Sequence, residues 1–267
     1  MKTFKFIFSI LFSQGFLFSS ALAADIQPHQ AHYNLDIKEL NMAGMATSRG
    51  GDFFLRIEKT CTSWVLASQF SFNLESEDNI PVSMVMLGQW EETLDGHSMS
   101  FKSQTIINGG IVDLYEGVSN NSKDGSEGLL YLTQPTQTTL PLPANTYFPL
   151  SATIYSLENI KQGKAVLNYT LYDGAARDAV RVSDLLVGKS VQPKDLPNEV
   201  KPYIKGEGWK IITSFFNYDE PDGEATSTHT TDIYENGITT ELKISNSQIT
   251  AVGKLMQFEA LPVPDCN

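Results

Sequence analysis

Apolar and polar residues alternate with a period of two through most of this chain. Trp64, Leu66, Phe70, Phe72 and Leu74 share one face, and Gln69, Ser71, Asn73 and Glu75 share the other. Phe53, Leu55 and Ile57 alternate with Arg56 and Glu58, Leu167, Tyr169 and Leu171 with Asn168 and Thr170, and Leu242 and Ile244 with Glu241 and Lys243. Period-two alternation repeated this often predicts antiparallel β-structure with one covered and one solvated face. Six dipeptides that tolerate positive φ fall between such runs: Asp95-Gly96, Asn108-Gly109, Asp124-Gly125, Asp173-Gly174, Asp222-Gly223 and Asn236-Gly237. Each is a candidate hairpin turn.

Two segments are apolar on both faces. In 80–90, Val82, Met84, Met86 and Trp90 lie on one side, and Val85 and Leu87 on the other. In 209–218, Trp209, Ile211 and Phe215 oppose Ile212, Phe216 and Tyr218. Either these are central strands between two layers, or one face lines an apolar cavity. Methionine side chains adapt to irregular shapes and keep the cavity reading open. Only FPLSATIYSLENIKQGK reads as a helix. Pro149 stands near its start, Gly163 just past its end, and Ile154, Leu157 and Ile160 have helical spacing. The stretch from Gly188 to Gly206 carries Pro193, Pro197 and Pro202 among mixed charges and is expected to be an exposed loop.

The ends add a compartment. Residues 1–23 combine Lys2 and Lys5, an apolar run from Phe6 to Phe18 and the cleavage-site pattern Ala21-Leu22-Ala23. This is the pattern of a secretory signal peptide, so the mature chain is expected to cover residues 24–267 as one domain, exported and soluble, with no transmembrane anchor. Full-length net charge is −12, and loss of Lys2 and Lys5 moves it to about −14. An acidic chain of this kind repels phosphate backbones and anionic membrane surfaces, which argues against nucleic acid as a partner. Cys61 and Cys266 are the only cysteines. In an exported chain they are most simply one disulfide, closing a loop of about 205 residues worth at most roughly 5 kcal/mol. Cys266 then acts as a latch on a proline-bearing tail. A redox-active pair is the other reading, but it lacks Cys-x-x-Cys spacing.

Catalytic chemistry finds no pattern to rest on. His29 and His32 are three apart, which on a strand sends them to opposite faces and away from a shared metal. Asp95-Gly96-His97-Ser98 is accounted for by a turn, and His229 lies in the Ser/Thr-rich TSTHTT. There is no G-x-S-x-G elbow, no H-E-x-x-H and no phosphate-binding glycine loop. Asp219, Glu220, Asp222 and Glu224 lack the spacing of a calcium loop. No catalytic residue, metal ligand or cofactor is assigned.

Several landmarks in order resemble one family. They are PHQAHYNL, Cys61 ahead of an aromatic strand, TLPLPANTYFP before the helix, LYDGA, SFFNYDE, DIYENGI and LMQFEALPVPDC. Together they resemble the EipB family of periplasmic cell-envelope integrity proteins of alphaproteobacteria. The resemblance implies an all-β, mainly antiparallel fold, an open spiral-like barrel of many strands wrapped around one helix. It also implies a Cys61–Cys266 disulfide and a role in envelope integrity under stress, with no enzymatic residue to carry over. The expectation is a non-catalytic periplasmic protein that binds an envelope component such as a lipid. Met84, Met86, Trp90, Ile154, Trp209 and Phe215 are the expected apolar lining. An interaction module for another periplasmic protein is the alternative, and an envelope hydrolase a third reading.

Overall fold

The structure is a computed structural model and describes residues 25–122, 125–190, 196–220 and 222–266. The proposed signal peptide lies outside the described residues. The first half of the chain meanders through β1 (His29–Leu40), β2 (Met45–Lys59), β3 (Ser63–Ser76), β4 (Pro81–Thr93), β5 (Ser98–Ile107), β6 (Gly110–Asn120), β7 (Gly128–Gln134) and β8 (Thr138–Leu142). A two-residue strand, β9 (Thr146–Tyr147), leads into helix α1 (Pro149–Lys161). The second half meanders through β10 (Val166–Leu171), β11 (Val180–Lys189), β12 (Gly208–Asn217), β13 (Ser227–Tyr234), β14 (Thr239–Asn246) and β15 (Ile249–Ala260).

Among the described residues fifteen strands form one sheet, in the order β8-β7-β6-β5-β4-β3-β2-β1-β15-β14-β13-β12-β11-β10-β9. Every pairing is antiparallel except β9 with β10. First and last strands therefore meet in the middle of the sheet, where Tyr33 faces Leu255 and Leu35 faces Gly253. The two outer strands, β8 and β9, are joined by residues 143–145 alone. A connection that short brings opposite edges of the sheet together, so the sheet must curl into a barrel-like wall. The expected spiral-like β-barrel around one helix is the fold observed.

Turn chemistry holds the hairpins. Asn108 and Gly109 both have positive φ between β5 and β6, as a two-residue hairpin connection requires. Gly223 does not use positive φ, so the β12–β13 connection turns by other means. Gly88 matters for space rather than φ, since a Cβ there would lie 2.0 Å from Cη2 of Trp90.

Helix α1 sits on the inner face. Leu150, Leu157 and Ile160 pack against Ile57, Trp64 and Leu66 from one half of the sheet and Leu167, Trp209 and Ile211 from the other. Full burial of each such side chain contributes about 1.5–3 kcal/mol, so the helix joins the two meanders across the interior. A second plug comes from the stretch read in sequence as an exposed loop. Leu196 and Val200 are buried against Tyr33, Ile238, Leu255 and Phe258, and Asn236 Nδ2 donates to the Tyr203 carbonyl at 2.8 Å. That expectation is corrected for the described part of the stretch: prolines set its backbone outside the sheet, while its two apolar side chains close one end of the interior. Pro193 lies outside the described residues.

Candidate functional site

The inner wall is unevenly covered. Leu35, Phe72 and Leu74 are buried, but Phe53, Phe70, Val82, Met84 and Met86, packed beside them, are only partly so. These five point inward by the alternation of β2, β3 and β4 and lie beyond the cluster built on α1. The six lining residues expected from sequence are therefore divided. Met84 and Met86 stand on this partly open wall. Phe215 packs with Ala152, Leu171 and Val182, and remains half-buried. Ile154, on α1 itself, and Trp90 are half-buried against the cluster built on the helix, and the Trp90 indole Nε1 donates to the Asp173 carbonyl at 2.5 Å. Trp209 is 5% exposed and belongs to the solid core, so it does not face open space.

A polar group faces the helix from β11 and β12. Asp184 is buried, and its carboxylate accepts from Ser156 Oγ at 2.7 Å, Tyr169 Oη at 3.1 Å and Thr213 Oγ1 at 2.6 Å. Next to Thr213 in the ladder is His229, whose ring lies 4.7 Å from that of Phe215. Burial pushes the His229 imidazole down to about 4, so it is neutral at pH 7. The hydroxyls here all donate to the carboxylate, so none is held by the imidazole in the manner of an activated nucleophile.

The other histidines are also apart from such an arrangement. His29 is fully buried, stacks on Phe258 and has Nδ1 2.7 Å from the Gln27 carbonyl. Desolvation lowers its pKa, against the pull of that carbonyl. The neutral ring then donates through Nδ1, leaving Nε2 buried without a partner. His32 is on the opposite face, as the three-residue spacing predicts, with Nε2 2.7 Å from Asp52. His97 sits in the β4–β5 turn, where its backbone N–H donates to Asp95. Among the described residues no group of three histidine, cysteine or acidic side chains is placed to hold a metal.

Sequence reasoning missed Glu92. It ends the inward row of β4 and is 1% exposed. Its Oε2 accepts from the Leu150 N–H at 2.9 Å and its Oε1 from the Ser151 N–H at 2.8 Å. A strand carboxylate thus caps the first turn of α1, where Phe148 has no side chain able to do so. Burial pushes the Glu92 carboxyl up, while the bonds from Ser151 and Leu150 pull it down. An acidic residue in the apolar register of β4 was the available signal.

Cys61 and Cys266 are bonded, with Cα atoms 5.5 Å apart. The bond fastens the tail after β15 to the β2–β3 turn, across the start of β1, where Leu261 N–H donates to the Pro28 carbonyl. Among the described residues no helix is long and apolar enough to cross a membrane.

Comparison with known proteins agrees with this architecture. The EipB-like family model matches residues 20–262. The chain is 23% identical over 247 residues to the cell envelope integrity protein EipB of Brucella abortus, covering 90% of this chain and 86% of that one. A crystal structure of a beta-barrel-like protein of the domain of unknown function DUF1849, also from Brucella abortus, superposes with a TM-score of 0.80 at 18% identity, over 89% of this chain and 99% of that one. With the family model spanning nearly the whole chain and the barrel shared, the protein belongs to the EipB-like family.

Proposed function

We propose that this protein helps to maintain the bacterial cell envelope as a non-catalytic periplasmic protein that holds a lipid acyl chain against the open part of its inner wall. Family membership supports the envelope role, since the Brucella relative is named for cell envelope integrity. The observation that carries the lipid is the exposure of Phe53, Phe70, Val82, Met84 and Met86 on a face whose remaining apolar side chains are buried. Partly wetted apolar side chains on a concave wall gain free energy when an apolar chain covers them, about 25 cal/mol per Å². Methionines suit an acyl chain of variable shape.

The test is native mass spectrometry of protein taken from the periplasm without detergent, followed by lipid extraction. A co-purifying lipid is expected, and it is expected to be lost in Met84→Gln/Met86→Gln. An apo mass, together with no uptake of a fluorescent fatty acid, would sink the lipid reading. A protein-docking role is the second reading, favoured by the sheet edge at β10, where only Thr170 and Leu171 pair with β9. Edge addition there leaves Val166–Tyr169 available to an incoming strand. Cross-linking from that edge in cells to one defined protein would support it.

A further inference from the structure

The outer face of the sheet holds a groove of about 680 Å³ that the envelope reading does not use. Two rows of side chains cross it at right angles to the strands. Gln257, His32, Phe54, Gln69, Leu87 and Gln104 are successive ladder partners on β15, β1, β2, β3, β4 and β5. Beside them run Gln30, Arg56, Ala67, Gln89 and Lys102. All of these line the groove. At the usual interstrand spacing the first row extends roughly 24 Å.

Charges in the groove are spent on one another. His32 pairs with Asp52 at 2.7 Å, Lys102 with Glu116 at 3.1 Å, and Arg56 with Glu58 and with Gln30 Oε1 at 2.8 Å, while Gln30 also bonds Glu259. The amides of Gln69, Gln89, Gln104 and Gln257 have no side-chain hydrogen-bond partner among the described residues. Phe54 is 43% exposed and stacks on His32 with centroids 4.3 Å apart and planes within 5°.

From this juxtaposition we infer that the groove binds a neutral glycan strand, a polymer of hydroxyl- and amide-bearing sugar rings. Each free glutamine offers a donor pair and an acceptor together, which is what a sugar hydroxyl or acetamido group needs. An aromatic ring suits the C–H face of a pyranose, and it is already oriented by His32. With the groove's cations paired and the protein's net charge at −12, an anionic polymer is repelled. Main-chain groups under the rows are used within the ladders, so an extended peptide cannot add there as a strand. Rows crossing six strands exceed the reach of a single sugar headgroup, which selects a strand over a glycolipid head.

Isothermal titration of the full mature protein with β-1,4-linked N-acetylglucosamine dimer, tetramer and hexamer tests this. Affinity is expected to rise with chain length. Phe54→Ala, and separately Gln69→Ala/Gln104→Ala, are each expected to weaken hexamer binding about tenfold while leaving thermal unfolding unchanged, because these positions lie on the solvent face. The inference is overturned if no oligomer binds, if both variants bind the hexamer like the wild type, or if the dimer binds as tightly as the hexamer. The acyl-chain test reads the opposite face of the sheet, so the two results are independent.

Discussion

Replacing Glu92 by glutamine probes the joint between sheet and helix. The carboxylate accepts from two consecutive backbone donors of α1, Leu150 N–H and Ser151 N–H. Glutamine keeps one acceptor and turns its NH2 toward the other donor. A hydrogen bond to a charged group contributes about 1.5–3 kcal/mol, and the lost favourable interaction with the helix dipole adds to the cost. Against this, the amide escapes the desolvation that pushes the buried carboxyl up. The net expectation is about 2 kcal/mol of destabilisation. For a domain of this size that corresponds to a fall in Tm of about 4–8 °C. Glu92→Ala leaves both donors unmet and opens a void beside Leu150, so its cost is expected to be larger, about 3 kcal/mol or more. Differential scanning calorimetry of the oxidised protein at pH 7 measures both. If E92Q melts within about 1 °C of the wild type, or if the alanine variant is the milder of the two, the cap does not hold the helix as argued.

Other consequences follow from the same structure. Reducing the Cys61–Cys266 bond, which closes a loop of 205 residues, is expected to lower the denaturation midpoint by the equivalent of at most about 5 kcal/mol; urea unfolding with and without reductant measures it, and an unchanged midpoint refutes the latch. His229 has its pKa lowered by burial to about 4, below the ordinary 6.5. Between those values the unfolded chain binds a proton that the folded one does not, so stability falls as pH drops from 6.5 toward 4, by about 3 kcal/mol at most. His229→Gln is expected to flatten that limb in pH-dependent urea titrations, and an unchanged slope counts against a buried neutral ring. Val200→Ala is expected to cost about 1–3 kcal/mol by thermal unfolding, whereas a truly exposed loop would give no measurable change.

Alternation along the chain was enough to state the fold class and to place six of the fifteen strands, β2, β3, β4, β10, β12 and β14. A period of two is a local property of the extended backbone, and one covered face stamps it on the sequence directly. Helix α1 was legible in the same way, because Pro149, Gly163 and the spacing of Leu157 and Ile160 are all local marks. The spiral-like barrel itself entered by family resemblance, since local period says nothing of which strands meet. Gln69 read in sequence as part of the polar face of its strand. Only the ladder register sets it in one row with Phe54, Gln104 and Gln257.

The polar sites depended on distance in space rather than in sequence. Glu92 caps a helix that begins 57 residues later, and Asp184 gathers hydroxyls from Ser156, Tyr169 and Thr213 on three different elements. The Gly188–Gly206 stretch shows the converse: its prolines and charges describe backbone outside the sheet, while Leu196 and Val200 are drawn inside by a gap that exists only once the sheet has curled. Trp209 and Met84 carry similar apolar patterns in sequence, yet one is sealed by α1 and the other is left partly open. Sequence thus determined which residues turn inward, because that follows from the pleat. Which part of the inner wall is filled, and which stays partly exposed, was decided by the length and placement of one helix and one loop inside the curled sheet.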